Sequence, residues 1–415
     1  MNEMSKYYTS PNTMEPLFPN DVSGELEKLS IELVAKAGRL SGVMNEETRK
    51  AIAEFLRPMN SYYSNLIEGH DTHPIDIERA LKNEYSNDKT KRDLQIEAFA
   101  HIKLHKIISE EIKSDESKIV PSSMSYLKQI HKRFYEELPE SFQEVKSKEG
   151  EVKIVRPGEF RDCEVEVGNH IAPLSDKLEL FTDRFEEFYN PNNTMNKSKT
   201  KRIISIAASH HRLAWIHPFL DGNGRVVRLF SDACFMFENL DACGMWSISR
   251  GLARRNEEYK SFLAQADLPR YNDYDGRGNL SNSKFIQFCK FFLEVAIDQI
   301  DFMFEMIDTN NILSRIDGFT KLMINKGELR PEAEYILSDL FLKGKISKSD
   351  AMRITNTSDK TLKITIDKLS EMGFLLSKKE GLSMIYYVKY PVKYSPMLFP
   401  GLYPGNKEVD MYNYI

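Results

Sequence analysis

A chain of 415 residues is too long for one ordinary hydrophobic core, so its length predicts two or three domains. Hydrophobic residues make up 41% of the chain and charged residues 29%, and the net charge of −5 gives no overall attraction to nucleic acid or anionic lipid. The sequence has no signal-peptide core, no run of roughly 20 apolar residues and no paired cysteine spacing, so we expect a cytoplasmic protein without a membrane partner, disulfides or zinc.

The N-terminal region, residues 1–90, is predicted to be helical. Apolar residues recur at three- and four-residue spacing over residues 22–56, which indicates a long helix. Pro58 is expected to interrupt this pattern, because proline removes a helix hydrogen bond. A second, short helix is predicted over residues 59–68, since Gly69 is a good residue to end a helix.

Residues 91–307 are predicted to form a mainly helical body. Helical periodicity is present over residues 91–112, 122–138, 174–189, 200–216, 226–240, 249–266 and 284–307. Between these helices, residues 145–173 contain glycine, proline and alternating apolar residues, which is typical of a β-hairpin or an irregular loop. The body is therefore expected to be α-helical apart from one small hairpin.

The C-terminal part of the chain is predicted to be a separate module. Residues 308–330 are rich in Asn, Asp, Lys and Gly and are predicted to be a linker. Over residues 331–393, three helical patterns precede a β-hairpin through Gly381, an order that resembles a winged helix-turn-helix. Residues 394–415 have no regular period and are predicted to be an irregular tail.

The composition of the candidate recognition helix, residues 359–368, indicates what this module could bind. It carries Lys360, Lys363 and Lys368 but no arginine that could read guanine in the major groove. DNA binding and protein docking or dimerisation therefore both stay open as uses of the module.

The strongest chemical signal is the segment His217–Arg228, which reads HPFLDGNGRVVR. Pro218 disfavours the α conformation at the residue before it, so the preceding helix is expected to end at His217. The Gly-Asn-Gly run lets backbone N–H groups converge on an anion, and the helix that follows adds its N-terminal dipole. Arg225 and Arg228 lie about one turn apart on that helix, so both can face bound phosphates.

Two side chains in this segment can do chemistry on a phosphate chain. Asp221 is a hard oxygen ligand beside the anion site, which suits Mg²⁺. His217, with an ordinary pKa of about 6.5, is a suitable general base for an attacking hydroxyl. A lone His-Pro or Gly-x-Gly would be an ordinary turn, but the combination describes phosphoryl or nucleotidyl transfer.

The segment matches the Fic family motif H-x-F-x-[DE]-G-N-G-R-x-x-R at every position. Fic proteins are all-α enzymes that use Mg²⁺ and move AMP from ATP onto Ser, Thr or Tyr hydroxyls of target proteins. The resemblance implies that His217 is the base, that Asp221 holds the metal and that Arg228 grips the γ-phosphate. It also implies that the phosphates are seated by Gly222, Asn223, Gly224 and Arg225. Related kinases carry Lys in place of Gly224, so the glycine favours AMP transfer.

Residues 161–173 resemble the β-hairpin flap of Fic enzymes, which aligns the target protein by strand addition. Many relatives have proline where this chain has Ala172. The resemblance places four flap residues near the nucleotide: Val167, Gly168, Asn169 and His170. Downstream, Tyr259 resembles the first aromatic residue of a Tyr-Tyr helix beside the adenosine, although Lys260 replaces the second.

Residues 64–69 fit the inhibitory pattern [ST]-x-x-x-E-[GN] of Fic proteins, through Ser64, Glu68 and Gly69. An acid in the last turn of a helix is disfavoured by the helix dipole, which suggests that a cation meets Glu68. The resemblance implies that Glu68 pairs with Arg228 and leaves ATP in a non-productive pose. In some relatives the same glutamate positions water to remove AMP, so a reverse reaction is a further expectation. We call residues 64–69 the inhibitory segment.

Two pairs of histidines, His70 with His73 and His101 with His105, have spacings that could bind a metal. Because no third ligand completes either pair, surface or packing roles are favoured.

Two classes of function follow from these features. The first is a protein adenylyltransferase restrained by Glu68, with ATP as substrate, Mg²⁺ as cofactor and a target protein docked on the flap. The second is a transcriptional regulator, in which the winged helix binds DNA and the Fic body senses nucleotide. The intact His217, Asp221 and Arg228 favour the enzyme, since a sensor needs no base. A second copy of the chain is included among the candidate partners, because association into a homo-oligomer, or its dissociation, would be a natural way to release the inhibition.

Overall fold

The computed structural model describes residues 8–114, 116–146, 150–168, 170–193 and 198–402, and most of them are helical. The helices are α1 (Glu25–Gly42), α2 (Glu46–Ile67), α3 (Pro74–Leu81), α4 (Lys89–Lys113), α5 (Met124–Glu136), α6 (Leu178–Tyr189), α7 (Lys199–Ile216), α8 (Asn223–Phe237), α9 (Ile248–Arg254), α10 (Asn256–Ala266), α11 (Asn282–Met306), α12 (Thr309–Asn325), α13 (Glu332–Lys343), α14 (Lys348–Thr355), α15 (Asp359–Glu371) and α16 (Ser395–Leu398). The strands are β1 (Glu144–Lys146), β2 (Val152–Ile154), β3 (Glu166–Val167), β4 (His170–Ile171), β5 (Lys345–Ser347), β6 (Leu375–Glu380) and β7 (Ser383–Val388). Among the described residues, none of the helices combines the length and the apolarity that a membrane crossing needs.

The chain divides into two compact units. The first comprises the chain up to Lys36, Asn60–Asp241 and Ser247–Gln299. The second comprises Ala37–Met59, Ala242–Trp246 and the chain from Ile300 onward. The candidate active site lies entirely within the first unit.

Helices α7 and α8 form the centre of the first unit. Nearly every residue of α7 from Ile203 to Ile216 is buried, and its large polar residues His210, His211 and Arg212 are hydrogen-bonded within the protein. The side chain of Ser198 caps its start by accepting a hydrogen bond from the Lys201 N–H. Helix α8 packs against α7, α4 and α5. The packing of α7 and α8 therefore fixes both ends of the short connection between them.

The predicted break at Pro58 is wrong, because α2 continues through this residue to Ile67. A proline inside a helix costs about 3 kcal/mol. Phe55, Met59 and Tyr62 are buried on the same helix, and the burial of these large side chains outweighs that cost. The helix break lies earlier in the chain, between α1 and α2.

Asn45 explains the position of this earlier break. Its side-chain oxygen accepts a hydrogen bond of 2.9 Å from the Thr48 N–H and so caps the start of α2. The single long helix predicted over residues 22–56 is therefore two helices.

The single hairpin predicted over residues 145–173 is two hairpins. Strand β1 pairs antiparallel with β2, and β3 pairs antiparallel with β4. Only the second, with Glu166 opposite Ile171, lies within the predicted flap. Both are short, because glycine and proline interrupt the alternating pattern.

In the second unit, α13, α14 and α15 precede the hairpin β6–β7, the order of elements predicted for residues 331–393. The hairpin turns at Gly381, between the paired residues Glu380 and Ser383. The structure adds strand β5, which pairs antiparallel with β7 and makes a three-stranded sheet of order β5-β7-β6. Gly344, at φ +74°, ends α13 and allows the chain to turn directly into β5.

The segment predicted to be a linker, residues 308–330, is helical over most of its length. Asp308 accepts hydrogen bonds from the N–H groups of Asn310 and Asn311 and so starts α12. The buried residues of α12 recur at helical spacing: Ile312, Ile316, Phe319, Thr320 and Met323. The Asn- and Lys-rich composition reflects the exposed face of this helix. Of the predicted tail, residues 395–398 form α16, and residues 403–415 lie outside the described part of the chain.

Candidate active site

The connection between α7 and α8, residues 217–222, is the centre of the candidate site, and we call it the motif loop. Helix α7 ends at Ile216, and His217 adopts a left-handed conformation with φ 50°. Its N–H donates to the Leu213 carbonyl at 3.1 Å. The helix end predicted from Pro218 is therefore confirmed, and the left-handed turn directs the chain away from the α7 axis.

Phe219 and Asn223 hold the motif loop in one conformation. Phe219 is fully buried, and its ring stacks on that of His131 with 4.0 Å between the centroids. The Asn223 side chain accepts a 2.9 Å hydrogen bond from the Phe219 N–H and donates a 2.8 Å bond to the Phe219 carbonyl. The side-chain amide of Asn223 thus bridges both backbone groups of Phe219, and its backbone N–H in the first turn of α8 remains available to a phosphate.

Two side chains of helix α5 are hydrogen-bonded to Asp221 in the motif loop. Tyr135 donates a hydrogen bond of 2.7 Å to Oδ2 of Asp221. His131 accepts a hydrogen bond from the Gly158 N–H at Nδ1, so its Nε2 carries the proton and donates to the Asp221 carbonyl at 3.2 Å. Burial lowers the pKa of His131 to about 4, which keeps this donor–acceptor arrangement neutral. The carboxylate and the carbonyl of Asp221 are thus both anchored.

Gly222 is required at the next position. Its φ is 78°, and a Cβ atom there would lie 2.7 Å from the Tyr135 ring. Only glycine satisfies both conditions, so the chain can pass directly over Tyr135 into the first turn of α8. The N-terminus of α8 therefore points its free N–H groups at the space beside Asp221.

The environment of the His217 ring keeps it neutral. Removal from water, then the neighbouring His170 and Arg161, lower the pKa of His217 to about 4. This value lies well below the ordinary histidine pKa of about 6.5 expected from the sequence. An unprotonated imidazole can accept a proton, but its basicity is lower than that of a solvated histidine.

Arg161 connects the flap to the motif loop. Its buried guanidinium donates to the His217 carbonyl at 2.9 Å, to the Cys163 carbonyl at 2.8 Å and to the Pro173 carbonyl at 2.5 Å. Burial lowers the pKa of Arg161 to about 10, well above neutral pH, so it remains a cation. One side chain thus clamps both ends of the flap to the residue predicted to be the base.

The flap residues predicted to lie near the nucleotide have different surroundings. Val167 is 46% exposed, and Gly168 turns the chain with φ 62°. His170 Nε2 is hydrogen-bonded to the Trp215 carbonyl at 2.7 Å, and its Nδ1 lies 3.5 Å from Oδ2 of Asp267. Asn169 lies outside the described residues. His170 therefore ties β4 to the last turn of α7, directly before His217.

Ser64 and Glu68 of the predicted inhibitory segment meet Arg228. Nη2 of Arg228 donates to Oε1 of Glu68 at 2.7 Å and to the Ser64 carbonyl at 2.9 Å, and its Nε donates to the Ser64 hydroxyl at 3.0 Å. Burial alone would raise the pKa of Glu68, but Arg228 and Arg225 outweigh it and lower the pKa. A Cβ atom at Gly224 would clash with Oε1 of Glu68, so the glycine makes room for this carboxylate.

Arg225 has a different partner from Arg228. Its Nη2 lies 2.9 Å from Oε1 of Glu97, a carboxylate with no exposed surface. The other oxygen of Glu97 accepts a 2.7 Å hydrogen bond from Nδ1 of His70, the residue after Gly69. The sequence predicted that both arginines can face the same bound phosphates. In this structure each arginine pairs with a different carboxylate, Arg228 with Glu68 and Arg225 with Glu97.

Tyr259 lies in a buried chain of hydrogen bonds. Ser231 donates to the Val227 carbonyl, so its oxygen accepts from Nδ1 of His210 at 2.7 Å. Nε2 of His210 then accepts from the Tyr259 hydroxyl at 2.8 Å. Burial lowers the pKa of His210 well below its ordinary value, in keeping with a neutral ring. The Tyr259 hydroxyl is thus already paired within the protein.

Sequence reasoning missed the four residues that organise these groups: Glu97, His131, Tyr135 and Arg161. Arg161 was included only as the first residue of the flap. Glu97 and His131 are polar residues on the buried faces of α4 and α5, and such residues in an apolar stripe are the signal that could have identified them. Nothing in the pattern around Tyr135 marks its hydroxyl as a partner of Asp221.

Comparisons with known proteins agree with this geometry. The Fic/DOC family model matches residues 121–234. Over 88 residues, 21% of this chain, the sequence is 39% identical to a protein named Protein adenylyltransferase Fic from Drosophila grimshawi and 41% identical to that of Drosophila melanogaster. These matches span only 17% of the length of either relative.

Two solved structures share the fold. A Fic family protein from Desulfovibrio desulfuricans G20 superposes with a TM-score of 0.50 at 14% identity, covering 90% of this chain and 98% of the other. Fic-1 from C. elegans gives a TM-score of 0.52 at 14% identity, covering 68% and 73%. The fold is thus the mainly α Fic fold with a β-hairpin flap that the sequence predicted, and residues 121–234 of this chain match the Fic/DOC family model.

Proposed function

We propose that this chain is a protein adenylyltransferase that moves AMP from ATP onto Ser, Thr or Tyr hydroxyls of target proteins and of itself. The observation that carries the proposal is the motif loop, which joins His217, Asp221 and the free N-terminus of α8 within the matched Fic/DOC domain. The relatives named as adenylyltransferases support the same chemistry.

The N-terminus of α8 is the proposed seat of the ATP phosphates. The N–H groups of its first turn have no acceptors within the helix, and the Glu68 carboxylate takes up the space beside Gly224 until Glu68 is released. Arg225 and Arg228 add positive charge from the same helix. Arg228 would bind the γ-phosphate once Glu68 releases it, because a carboxylate and a phosphate compete for the same guanidinium edge.

In the transfer step the target hydroxyl attacks the α-phosphorus of ATP. A bond forms between the hydroxyl oxygen and this phosphorus, the bond from the phosphorus to the bridging oxygen breaks, and pyrophosphate leaves. The hydroxyl proton passes to the neutral ring of His217. General base catalysis supplies roughly 10²- to 10⁴-fold of the rate, so charge stabilisation at α8 has to supply most of the rest.

Asp221 fits a role as the protein ligand of Mg²⁺. Among the described residues, only Tyr135 is hydrogen-bonded to its carboxylate, through Oδ2, so Oδ1 is left for a cation. No group of three acidic, His or Cys residues within the described residues could hold a metal by itself. A single carboxylate combined with substrate phosphates is a usual Mg²⁺ site in nucleotide enzymes, where the ion neutralises charge on the phosphates.

The flap is the proposed docking site for the target protein. Among the residues that the structure describes, strand β3 pairs with β4 alone, and Val167 on it is 46% exposed. An extended target segment can add to such an edge through main-chain hydrogen bonds. Because Arg161 clamps the flap to the His217 carbonyl, a segment docked there would present its hydroxyl near the base.

Glu68 is proposed to hold the enzyme in an inactive state. It occupies the Arg228 guanidinium that the γ-phosphate needs, and it fills the space over Gly224. The same carboxylate lies at the phosphate site, where it could orient water for removal of AMP from a modified target. The reverse reaction is therefore part of the proposal.

The test is transfer of label from ATP labelled at the α-phosphate, with Mg²⁺. The Glu68→Gly variant should label itself and added acceptor proteins strongly, and the unmodified chain weakly. Adding His217→Ala to Glu68→Gly should remove the label. Equal labelling with and without His217 would refute the proposal.

A second candidate function rests on the second unit. Its order of three helices and a hairpin is that of a winged helix-turn-helix, and Lys360 and Lys363 of α15 are exposed. A DNA-binding regulator that senses nucleotide would give a sequence-selective DNA complex and no protein labelling. The same labelling assay, run beside a DNA selection experiment, separates the two functions.

A further inference from the structure

We propose that Glu97 is a positioning residue shared between the phosphate site and the inhibitory segment. One carboxylate oxygen forms an ion pair with Arg225 at 2.9 Å, and the other accepts a hydrogen bond from His70 and so holds the turn that carries Glu68. This inference rests on the proposed function, because it describes a second link that keeps the same site inactive.

Because Glu97 is buried, its carboxylate depends on its contacts with Arg225 and His70 for stabilisation. The side chain lies on α4 with no exposed surface, and an unpaired carboxylate there would be strongly unfavourable. Arg225, with 7% of its side chain exposed, is one partner on α8. His70, with 34% exposed, is the other partner, and it comes from outside both helices. The buried charge is therefore neutralised in part by His70, the residue that follows the inhibitory segment.

His70 is rigidly connected to Glu68. The carbonyl of Asn65 accepts hydrogen bonds from the N–H groups of both Glu68, at 3.0 Å, and His70, at 2.9 Å. Gly69 between them adopts φ 86°, which closes this turn at the end of α2. A ring fixed to Glu97 therefore fixes the turn, and the turn sets where the Glu68 carboxylate lies relative to Arg228.

The link from His70 to Glu97 depends on pH. The hydrogen bond to Glu97 raises the pKa of His70, although burial acts in the opposite direction. The charged groups that face the ring are Glu97 from α4, Glu68 from the end of α2 and Arg225 from α8, and the Phe142 ring packs edge-on against it. Because this contact raises the pKa of His70, the charge-assisted part of the link is fully present below the ordinary histidine pKa and is lost as pH rises through the raised pKa.

The inhibitory segment should therefore hold less firmly in mildly alkaline solution than in mildly acidic solution. This behaviour differs from that of Glu68 itself, whose lowered pKa keeps it ionised throughout that range. A dependence on pH between about 6 and about 8 thus reports on His70 rather than on Glu68.

The experiment compares AMP transfer by His70→Leu and His70→Lys in two backgrounds. With Glu68 present, His70→Leu should raise transfer on the order of tenfold near pH 6, since a hydrogen bond between charged groups is lost. His70→Lys restores a cation and should keep transfer low at every pH tested. In the Glu68→Gly background, His70→Leu should change nothing, because no inhibitory carboxylate is left to position. An equal increase in both backgrounds, or no increase with Glu68 present, would overturn the proposal.

A second variant tests the other half of the link. In the Glu68→Gly background, Glu97→Gln should raise the KM for ATP about tenfold with a smaller change in kcat, because Arg225 loses its charged partner and its orientation. A fall in kcat with an unchanged KM would contradict a positioning role toward the phosphates.

Hydrogen exchange gives a readout that needs no AMP transfer. The amides of Glu68 and His70 should exchange faster in His70→Leu than in the unmodified chain, and should stay protected in His70→Lys. If no variant transfers AMP but exchange follows this order, the proposed activity fails and the Glu97 link stands. If AMP transfer occurs but exchange is unchanged by His70→Leu, the link fails and the activity stands.

Discussion

Replacing Glu68 by glutamine tests the inhibitory pair with almost no change of shape. Arg228 is 1% exposed and keeps its two hydrogen bonds to Ser64, so only the charge pair to Oε1 is weakened. Weakening one partner of a buried charge pair typically costs about 2–5 kcal/mol, and because the Glu68 side chain is 32% exposed we take the lower limit, about 2 kcal/mol. At about 1.4 kcal/mol per tenfold, this corresponds to a roughly 30-fold larger population of the active state.

The assay is the initial rate of AMP transfer at saturating ATP, with Glu84→Gln as the matched control. Glu84 is exposed on the same part of the chain and has no described side-chain contact with α8. The rate should rise roughly 30-fold for Glu68→Gln and stay unchanged for the control. If Glu68→Gln transfers AMP within about twofold of the unmodified chain, the pair to Arg228 does not hold the enzyme inactive.

Three further predictions concern the motif loop and the flap. Tyr135→Phe should raise the Mg²⁺ concentration for half-maximal nucleotide binding about fivefold, because Asp221 loses a hydrogen bond of about 1 kcal/mol. Tyr126→Phe on the same helix is the control. Equal shifts in both variants would contradict the assignment of Asp221 as the Mg²⁺ ligand that Tyr135 supports. Arg161→Lys should lower the melting temperature and reduce kcat/KM for a protein target by about tenfold, because lysine cannot donate to three carbonyls at once; unchanged values in both assays would exclude a clamp. In the Glu68→Gly background, kcat/KM should be level between about pH 6 and about pH 8, because the pKa of His217 is lowered to about 4 and the ring is already unprotonated; a limb centred near the ordinary 6.5 would show that burial does not act on the base.

The local chemistry of the motif loop could be predicted from the sequence, because its residues act through neighbours in the chain. Pro218 sets the end of α7 through the residue before it, and a left-handed turn requires the glycine at position 222. The contact of Glu68 with Arg228 spans 160 positions, yet it was predicted, because each residue lies in its own recognisable pattern.

The supporting residues could not be predicted in this way. Tyr135 and Arg161 act through contacts set by tertiary packing, and a tyrosine or arginine in an ordinary pattern gives no sign of such a partner. The pKa of His217 also depends on burial that only the folded chain defines. Pro58 shows the same limit for the fold, since packing of its helix outweighs a strong local preference.

Mass spectrometry of the intact Glu68→Gly chain after incubation with ATP and Mg²⁺ tests the central claim most directly. The account predicts a mass increase of one or more whole AMP groups, which disappears when His217→Ala is added. A mass increase of one phosphate group instead would contradict AMP transfer, which Gly224 favours over phosphate transfer. An AMP adduct that persists without His217 would contradict the assignment of His217 as the base.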